Sequence, residues 1–463
     1  MLGNALQPEI QSLIDAKDFT TLKSIVGDME IHDLAELLSE MEGESLAVTF
    51  RLLSQNRAAE VLGLLEYEQQ ELLLTNLSSR SVAEIFNEMA PDDRTDILEE
   101  MPGELAQRFM ATLHGDELTV ARSLMAYQED SIGRLMTPEY VAVREHWTIQ
   151  RVFEHIRKVG PDKETLNVVY VVDDRWKLLD ELRLEELVLA APESKVSDLM
   201  DNQVTPVLAR EDQETAIELF KKYDVIVMPV VNNQNTLVGI ITVDDVLDVA
   251  EEEDTEDFQK MVGMDALESS YFATSWLGMI RKRLPWLVML LLAQMLTTLA
   301  LTSFNGVYLF AVLVIFMPLI NSPAGNAGTQ MAGLMIRGLA VQEIAMTDWK
   351  RILLREMARG LALGCILAVI GFGAAFVFAP WAGGADTQVP KHQLPQIALA
   401  VAISIAVAVT IANLLGSMLP FVFKRFGMDP AVTSGPFIAS LMDVSGILVY
   451  FTIALALLKA AGM

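Results

Sequence analysis

One carboxylate in an apolar stretch is the first feature that suggests chemistry. Asp443 lies near the middle of residues 431–458, a run long enough to cross a bilayer core, and no basic residue within that run is placed to pair with it. A lone carboxylate at mid-membrane costs on the order of 2.5 to 3.5 kcal/mol on insertion, so a functional role is the default expectation. Cation passage, proton relay and hydrogen-bonded attachment to a neighbouring helix would each use such a residue. A second polar feature falls inside the apolar stretch 307–340, where Asn321, Ser322, Pro323, Gly325, Asn326, Gly328, Thr329 and Gln330 occur together. Gly and Pro release backbone groups that a membrane tolerates only beside a cavity, water or another helix. This run is expected to break its helix and, with Asn326, Thr329 and Gln330 in it, to line a polar pathway. Asp429 followed by Pro430 has the pattern of an N-cap before a first-turn proline, and is expected to start the fifth span with its carboxylate at the cytosolic mouth.

A third feature is a charge run. Asp244, Asp245, Asp248, Glu251, Glu252, Glu253, Asp254, Glu256 and Asp257 follow one another with no basic residue among them, interrupted by Val246, Leu247, Val249 and Phe258 at helical spacing. Such a helix is stabilised only if cations offset the repulsion between its carboxylates. The charge of the chain is divided in the same sense. Its net charge is -28; the residues from Arg281 onward hold 12 basic and 6 acidic groups, leaving the first 280 residues at -34. A surface of that sign repels nucleic acid and favours small cations. The single cysteine, Cys365, rules out a disulfide framework and a thiolate metal cluster. Met1 to Gln11 lacks a basic and then apolar leader, so the acidic half is expected in the cytosol. No Gly-x-x-x-x-Gly-Lys-Ser/Thr loop supplies an energy source, which leaves the membrane potential as the driving force and gives no indication of an enzyme.

The elements that must position these residues fall into four expected regions: 1–130, 131–250, 251–280 and 281–463. Aligned on itself at a spacing of 24, the first region places Leu38, Leu62, Phe86 and Met110 in register, and likewise Met41, Leu65, Met89 and Leu113. This predicts paired amphipathic helices stacked as an α-helical solenoid. Pro91 opens one helix, with Asp92 and Asp96 on one face. In the second region Val168–Asp173 recurs as Val227–Asn232 and Leu135-Met136 as Leu199-Met200, which resembles a tandem pair of α+β CBS domains. The second copy carries Gly239, Thr242 and Asp245 in the Gly-x-x-Thr-x-x-Asp order with which that family holds a nucleotide; the first has Asp180, Arg183 and Glu186 there. An acidic connecting helix follows, then an all-α domain of five spans at 284–304, 307–340, 360–381, 394–423 and 431–458. Arg281–Arg283, the Lys350, Arg351, Arg355 and Arg359 set, and Lys424-Arg425 alternate with poorly charged loops, one holding only Asp386 and Lys391; the N-terminus is expected inside and the C-terminus outside.

This order of parts is similar, over essentially the whole chain, to the MgtE family of magnesium channels. The most specific motifs are Gly325-Asn326-Ala327-Gly328 and Asp429-Pro430-Ala431, followed by Ser434, Pro436 and Asp443. The resemblance implies a homodimeric, Mg2+-selective channel of the cell membrane, with Asp443 selecting hydrated Mg2+ beside Gly325, Asn326, Gly328, Thr329 and Asp429. It implies closure by cytosolic Mg2+ bound to Asp245, Asp248, Glu253, Glu256 and Asp257 of the connecting helix, Asp212 and Asp224 of the second CBS copy, and Glu60, Asp92 and Asp96 of the solenoid. It further implies ATP in the CBS pair, at Gly239 and Thr242. Two other readings stay open at this stage: a proton- or Na+-coupled carrier using Asp443, and a membrane-tethered nucleotide sensor that moves no ion.

Overall fold

The structure is a computed structural model describing residues 2–41, 43–65, 67–101, 103–267, 271, 274–307, 310–341, 343–381 and 389–460. It divides into two compact units, Met1–Glu253 and Asp254–Met463.

In the first unit the 24-residue period becomes a stack. Helices Ile31–Ser39, Gln55–Gly63, Ser79–Glu88 and Gly103–Met110 start 24 residues apart, and each packs on the one before it. Leu38, Leu62 and Phe86 are fully buried and Met110 partly so, because equal spacing brings the same face of each helix to the shared core. Pro91–Glu100 is a helix with Pro91 in its first turn, where a missing N–H is harmless.

The CBS pair follows as two three-stranded sheets of the same design. Strands β1 (Ala142–Val143), β2 (Val168–Val172) and β3 (Leu178–Arg183) match β4 (Val207–Leu208), β5 (Val227–Val231) and β6 (Leu237–Thr242). The first pair of strands in each sheet is parallel and the second antiparallel, and the register shifts at the same place, between Val171 and Val172 and between Val230 and Val231. The linker helix does not begin after this domain, as the expected boundary at 251 would have it. It runs Val243–Met261, growing out of the end of β6, since Val246 and Val249 are buried in the CBS core and seed the helix that the acidic residues extend.

Among the described residues, five helices of the second unit are long and apolar enough to cross a membrane: Trp276–Ser303, Phe310–Ala340, Met346–Trp381, Lys391–Arg425 and Gly435–Ala460, the second with a turn at Phe316 and the third and fourth with short 3-10 segments. The expected break at Asn321–Gln330 is absent. The second span is continuous from Met317 to Ala340 and interrupted instead at Phe316. Pro318 sits in the first turn without cost, and Pro323 withholds a single N–H from an otherwise intact ladder. The glycines serve close approach: a Cβ on Gly416 of the fourth span would stand 2.2 Å from the Gly328 carbonyl oxygen, and one on Gly364 of the third would stand 2.6 Å from the Ala406 oxygen. Asp429 likewise does not start the fifth span. It caps a one-turn 3-10 segment, Pro430–Val432, through the Ala431 N–H at 2.8 Å, and the long helix begins at Gly435. Asp386 lies outside the described residues.

The helix contact at Gly416 is testable. Gly416→Ala should destabilise the purified protein by about 1–3 kcal/mol and lower its melting temperature in detergent, because the added methyl overlaps backbone that has no rotamer to yield. Gly373→Ala, whose Cβ meets nothing within 4 Å, should leave the melting temperature unchanged.

Candidate functional site

In the membrane unit the second and fifth spans flank an open cleft of about 340 Å³, with Asn321, Ser322 and Asn326 on one side, Asp443 on the other, and Met317, Pro318 and Ala439 making up its apolar part. Gly325 faces Ala439 with only small side chains between the helices, which brings the polar groups together. Asn321 Nδ2 lies 3.3 Å from the Asp443 carbonyl oxygen and 3.4 Å from its Oδ1, so it donates to the backbone and to the carboxylate at once. No cation pairs with Asp443 among the described residues. Of the residues singled out in the sequence, Asn326, Gly325 and Asp443 meet here. Gly328 packs against the fourth and fifth spans, and Thr329 donates to the Gly435 carbonyl at 3.2 Å, fastening the two helices instead of facing the cleft. Asn321 was legible only as part of a presumed helix break; its pairing with Asp443 needs two spans to meet. A second polar contact also escaped notice. Buried Glu356 of the third span accepts from Asn413 of the fourth at 2.9 Å and from Arg359 at 2.5 Å, a satisfied clamp whose only sequence signal is a Glu and an Arg three residues apart in a span.

The first unit gathers carboxylates. Asp92, Asp93 and Asp96 of helix Pro91–Glu100 share a field with Asp244, Asp245 and Asp248 of the linker helix and with Glu164. Burial is the largest influence and repulsion adds to it: Asp93 is pushed up to about 6 and Asp245 to about 7, the latter despite the Thr242 hydroxyl at 2.5 Å. Asp92 rises well above the usual carboxylate range for the same two reasons, and its Oδ1 is buried without a hydrogen-bond partner. Among the described residues no three His, Cys, Asp or Glu side chains converge tightly enough to hold a bare ion. The donors are all hard oxygens, which suits a cation that keeps its waters. The other acidic residues are dispersed. Glu253 accepts from Gln213, Asp212 caps helix Gln213–Tyr223, Asp224 ends that helix in left-handed backbone, and exposed Glu60 lies one turn from Gly63, which abuts Asp93.

The nucleotide signature of the second CBS copy is closed on itself. Thr242 bonds Asp245, and a Cβ on Gly239 would stand 2.7 Å from the Met136 sulfur and 2.9 Å from the Thr137 oxygen. The open cleft, about 700 Å³, lies instead by the first copy's positions, with Arg183, Glu181, Glu185 and Asp224 around it. Asp180 there is structural, its Oδ2 accepting from the Asp201 and Asn202 amides at 2.8 and 2.9 Å. Beyond the first unit, Lys260, the lone basic residue of the linker helix, pairs with Glu256 and with Asp429 at 2.8 Å. Burial opposes its charge, but the bonds to Asp429 and Glu256 prevail and raise its pKa above the usual lysine value.

Residues 317–453 match the family model described as "Divalent cation transporter", 9–130 the MgtE intracellular N domain and 196–252 the CBS domain. The magnesium transporter MgtE of Thermus thermophilus is 37% identical over 459 residues, covering 98% of this chain and 99% of that one. The chain belongs to the MgtE family of magnesium transporters. The MgtE of Bacillus subtilis is 31% identical over 439 residues, covering 95% and 94% of the two chains. A solved structure, the cytosolic domain of the Mg2+ channel MgtE in complex with ATP, matches 53% of this chain and all of its own at 37% identity, with a TM-score of 0.51. The MgtE N-domain match thus covers the solenoid that carries Asp92 and Asp96, and the transporter match covers the whole Asn321–Asp443 cleft.

The raised carboxylates set a pH dependence opposite to that of a salt-bridged acid. A folded-state value above the unfolded one favours the folded form fully below about pH 4. That contribution is lost as pH rises through about 6 for Asp93 and about 7 for Asp245. In chelator, with rates normalised to trypsin's own activity on an unfolded substrate at each pH, the Met1–Glu253 unit of the chain should therefore resist trypsin better at pH 6 than at pH 8, and millimolar Mg2+ should reduce the difference. Equal or reversed rates in chelator would contradict the assignment.

Proposed function

We propose that this MgtE is a Mg2+-selective channel that takes up the ion down its electrochemical gradient. The observation that carries the reading is one carboxylate, Asp443, that accepts from the Asn321 amide in an open cleft of the membrane unit and has no cation beside it among the described residues. Mg2+ sheds water reluctantly, so a sparse site that holds the hydrated ion through its waters suits it better than a cage of charges. Asp443 supplies the attraction, Asn321 orients that carboxylate, and Asn326 offers an amide to the hydration shell. Ser322, Asn326 and Gln330, four residues apart on the second span, are all exposed. A polar stripe facing hydrocarbon is unfavourable, which supports a homodimer in which a second copy covers it and brings a second Asp443 to the same path. The Lys/Arg bias supports an N-terminus inside and a C-terminus outside.

Cytosolic Mg2+ closes the channel in this reading. Bound ions supply the positive charge that the acidic cluster lacks. Without it Asp92, Asp93 and Asp96 repel Asp244, Asp245 and Asp248, and the linker helix is loosened; with it the helix is held, and Glu253, Glu256 and Asp257 extend the same response. Closure requires that the ion bind the held form more tightly than the loose one. ATP would take the 700 Å³ cleft of the CBS pair, where Arg183 can meet phosphate, in keeping with the ATP complex of the related cytosolic domain.

Flux into proteoliposomes tests the channel and its closure together. Asp443→Ala should abolish Mg2+ entry, while joint neutralisation of Asp245, Asp248, Glu253, Glu256 and Asp257 should leave flux that persists at millimolar Mg2+ on the cytosolic side. Wild-type flux in Asp443→Ala would rule out the pathway, and a flux that stops when a proton or Na+ gradient is collapsed at fixed voltage would indicate a coupled carrier. For the nucleotide, calorimetry should show ATP binding weakened by Arg183→Ala and retained by Thr242→Ala; the reverse would move the site to the second copy.

A further inference from the structure

The linker helix ends against the membrane helices of its own unit, and a lysine stands where the acidic pattern suggested a metal. Lys260 Nζ lies 2.8 Å from Asp429 Oδ2 and also pairs with Glu256 one turn earlier. All three side chains are only partly exposed, so the pair is shielded from bulk water more than a surface bridge is. Two further contacts fix the same end. A Cβ on Gly333 of the second span would stand 3.4 Å from the Met261 terminal methyl, and one on Gly263 would stand 3.3 Å from Pro436 Cγ and 3.6 Å from Ser434 Oγ. Gly263 has φ +81, a left-handed turn that ends the helix at this point. Gly333 lies about 10 Å along its helix from Asn326, and Pro436 about the same from Asp443. The helix end therefore rests on both walls of the cleft, two turns from its polar groups.

We propose that Lys260 is a tethered cation that latches the linker helix onto the approach to the fifth span, filling between Glu256 and Asp429 the place that a bridging divalent ion would otherwise take. A covalently attached ammonium is present at every ion concentration. It sets a resting level of closure on which the acidic cluster superimposes its response. Asp429 can serve as the receiving group because its other oxygen caps Ala431 at 2.8 Å, which fixes the carboxylate. The inference rests on the reading above that the linker helix closes the pathway.

The test is Mg2+ flux of the full-length protein in proteoliposomes, with cytosolic-side Mg2+ varied from micromolar to millimolar. Lys260→Gln should raise flux at micromolar Mg2+ by roughly three- to fivefold, the effect of losing one partly shielded charge pair, and return to the wild-type level at millimolar Mg2+ as the free ion bridges the vacated carboxylates. Lys260→Arg should follow wild type. Asp429→Asn, which keeps the cap, should raise flux similarly, and the double variant should do no more than either single one. A Lys260→Gln curve that superimposes on wild type, a loss of flux at all concentrations, or full additivity with Asp429→Asn would overturn the latch while leaving inhibition of the wild type intact. Wild-type flux indifferent to Mg2+ would overturn the latch and the closure reading together.

Discussion

A carboxylate inside a bilayer must face something polar, and the membrane unit is organised around meeting that demand for Asp443. The one cation of the fifth span, Lys459, stands 16 residues along the helix, about 24 Å away, and is out of reach. The answer comes from the second span, whose Asn321 reaches Asp443 where Gly446 leaves room for its side chain and Gly325 faces Ala439 with little bulk between the helices. Gly328 and Gly416 extend the close approach to the fourth span, and Gly364 to the third. Packing by small residues and polarity at the cleft are thus one device. Were the helices farther apart, the amide and the carboxylate would each be stranded in hydrocarbon.

The first unit faces the reverse difficulty, too much of one charge. Asp92 is buried and Asp93 and Asp245 are half-buried, and the desolvated groups repel one another. A fold that brings like charges together at a cost to its own stability is readily biased by whatever neutralises them. A cation response of such a cluster would need no preformed cage. Lys260 shows the other way to settle the same imbalance, with a cation built into the chain.

The two copies of the CBS unit illustrate how a motif can mislead. Gly239, Thr242 and Asp245 retain the nucleotide pattern, yet the hydroxyl and carboxylate are spent on each other and the glycine admits the backbone at Thr137. The first copy has Asp180 in place of the glycine, where it ties down the chain at Asp201 and Asn202, and the open cleft lies by Glu181 and Arg183. Signature residues report a turn geometry as much as a ligand.

What the sequence by itself determined is what repeats or runs long. The 24-residue period yields the stacked helices, the Val168 and Val227 runs yield matching strands β2 and β5, and the five apolar stretches yield five spans, because each of these follows from local periodicity and the length of chain removed from water. Asp443 stood out for the same local reason, a charge where none is expected. Only the tertiary structure decided that the Asn321–Gln330 helix stays whole, that Thr329 is a fastener and Asn321 a partner, that Glu356 meets Asn413, and that Lys260 crosses 169 residues of chain to Asp429. Those outcomes depend on which neighbour satisfies a polar group or fills the space beside a glycine, and a neighbour distant in sequence leaves no periodic trace.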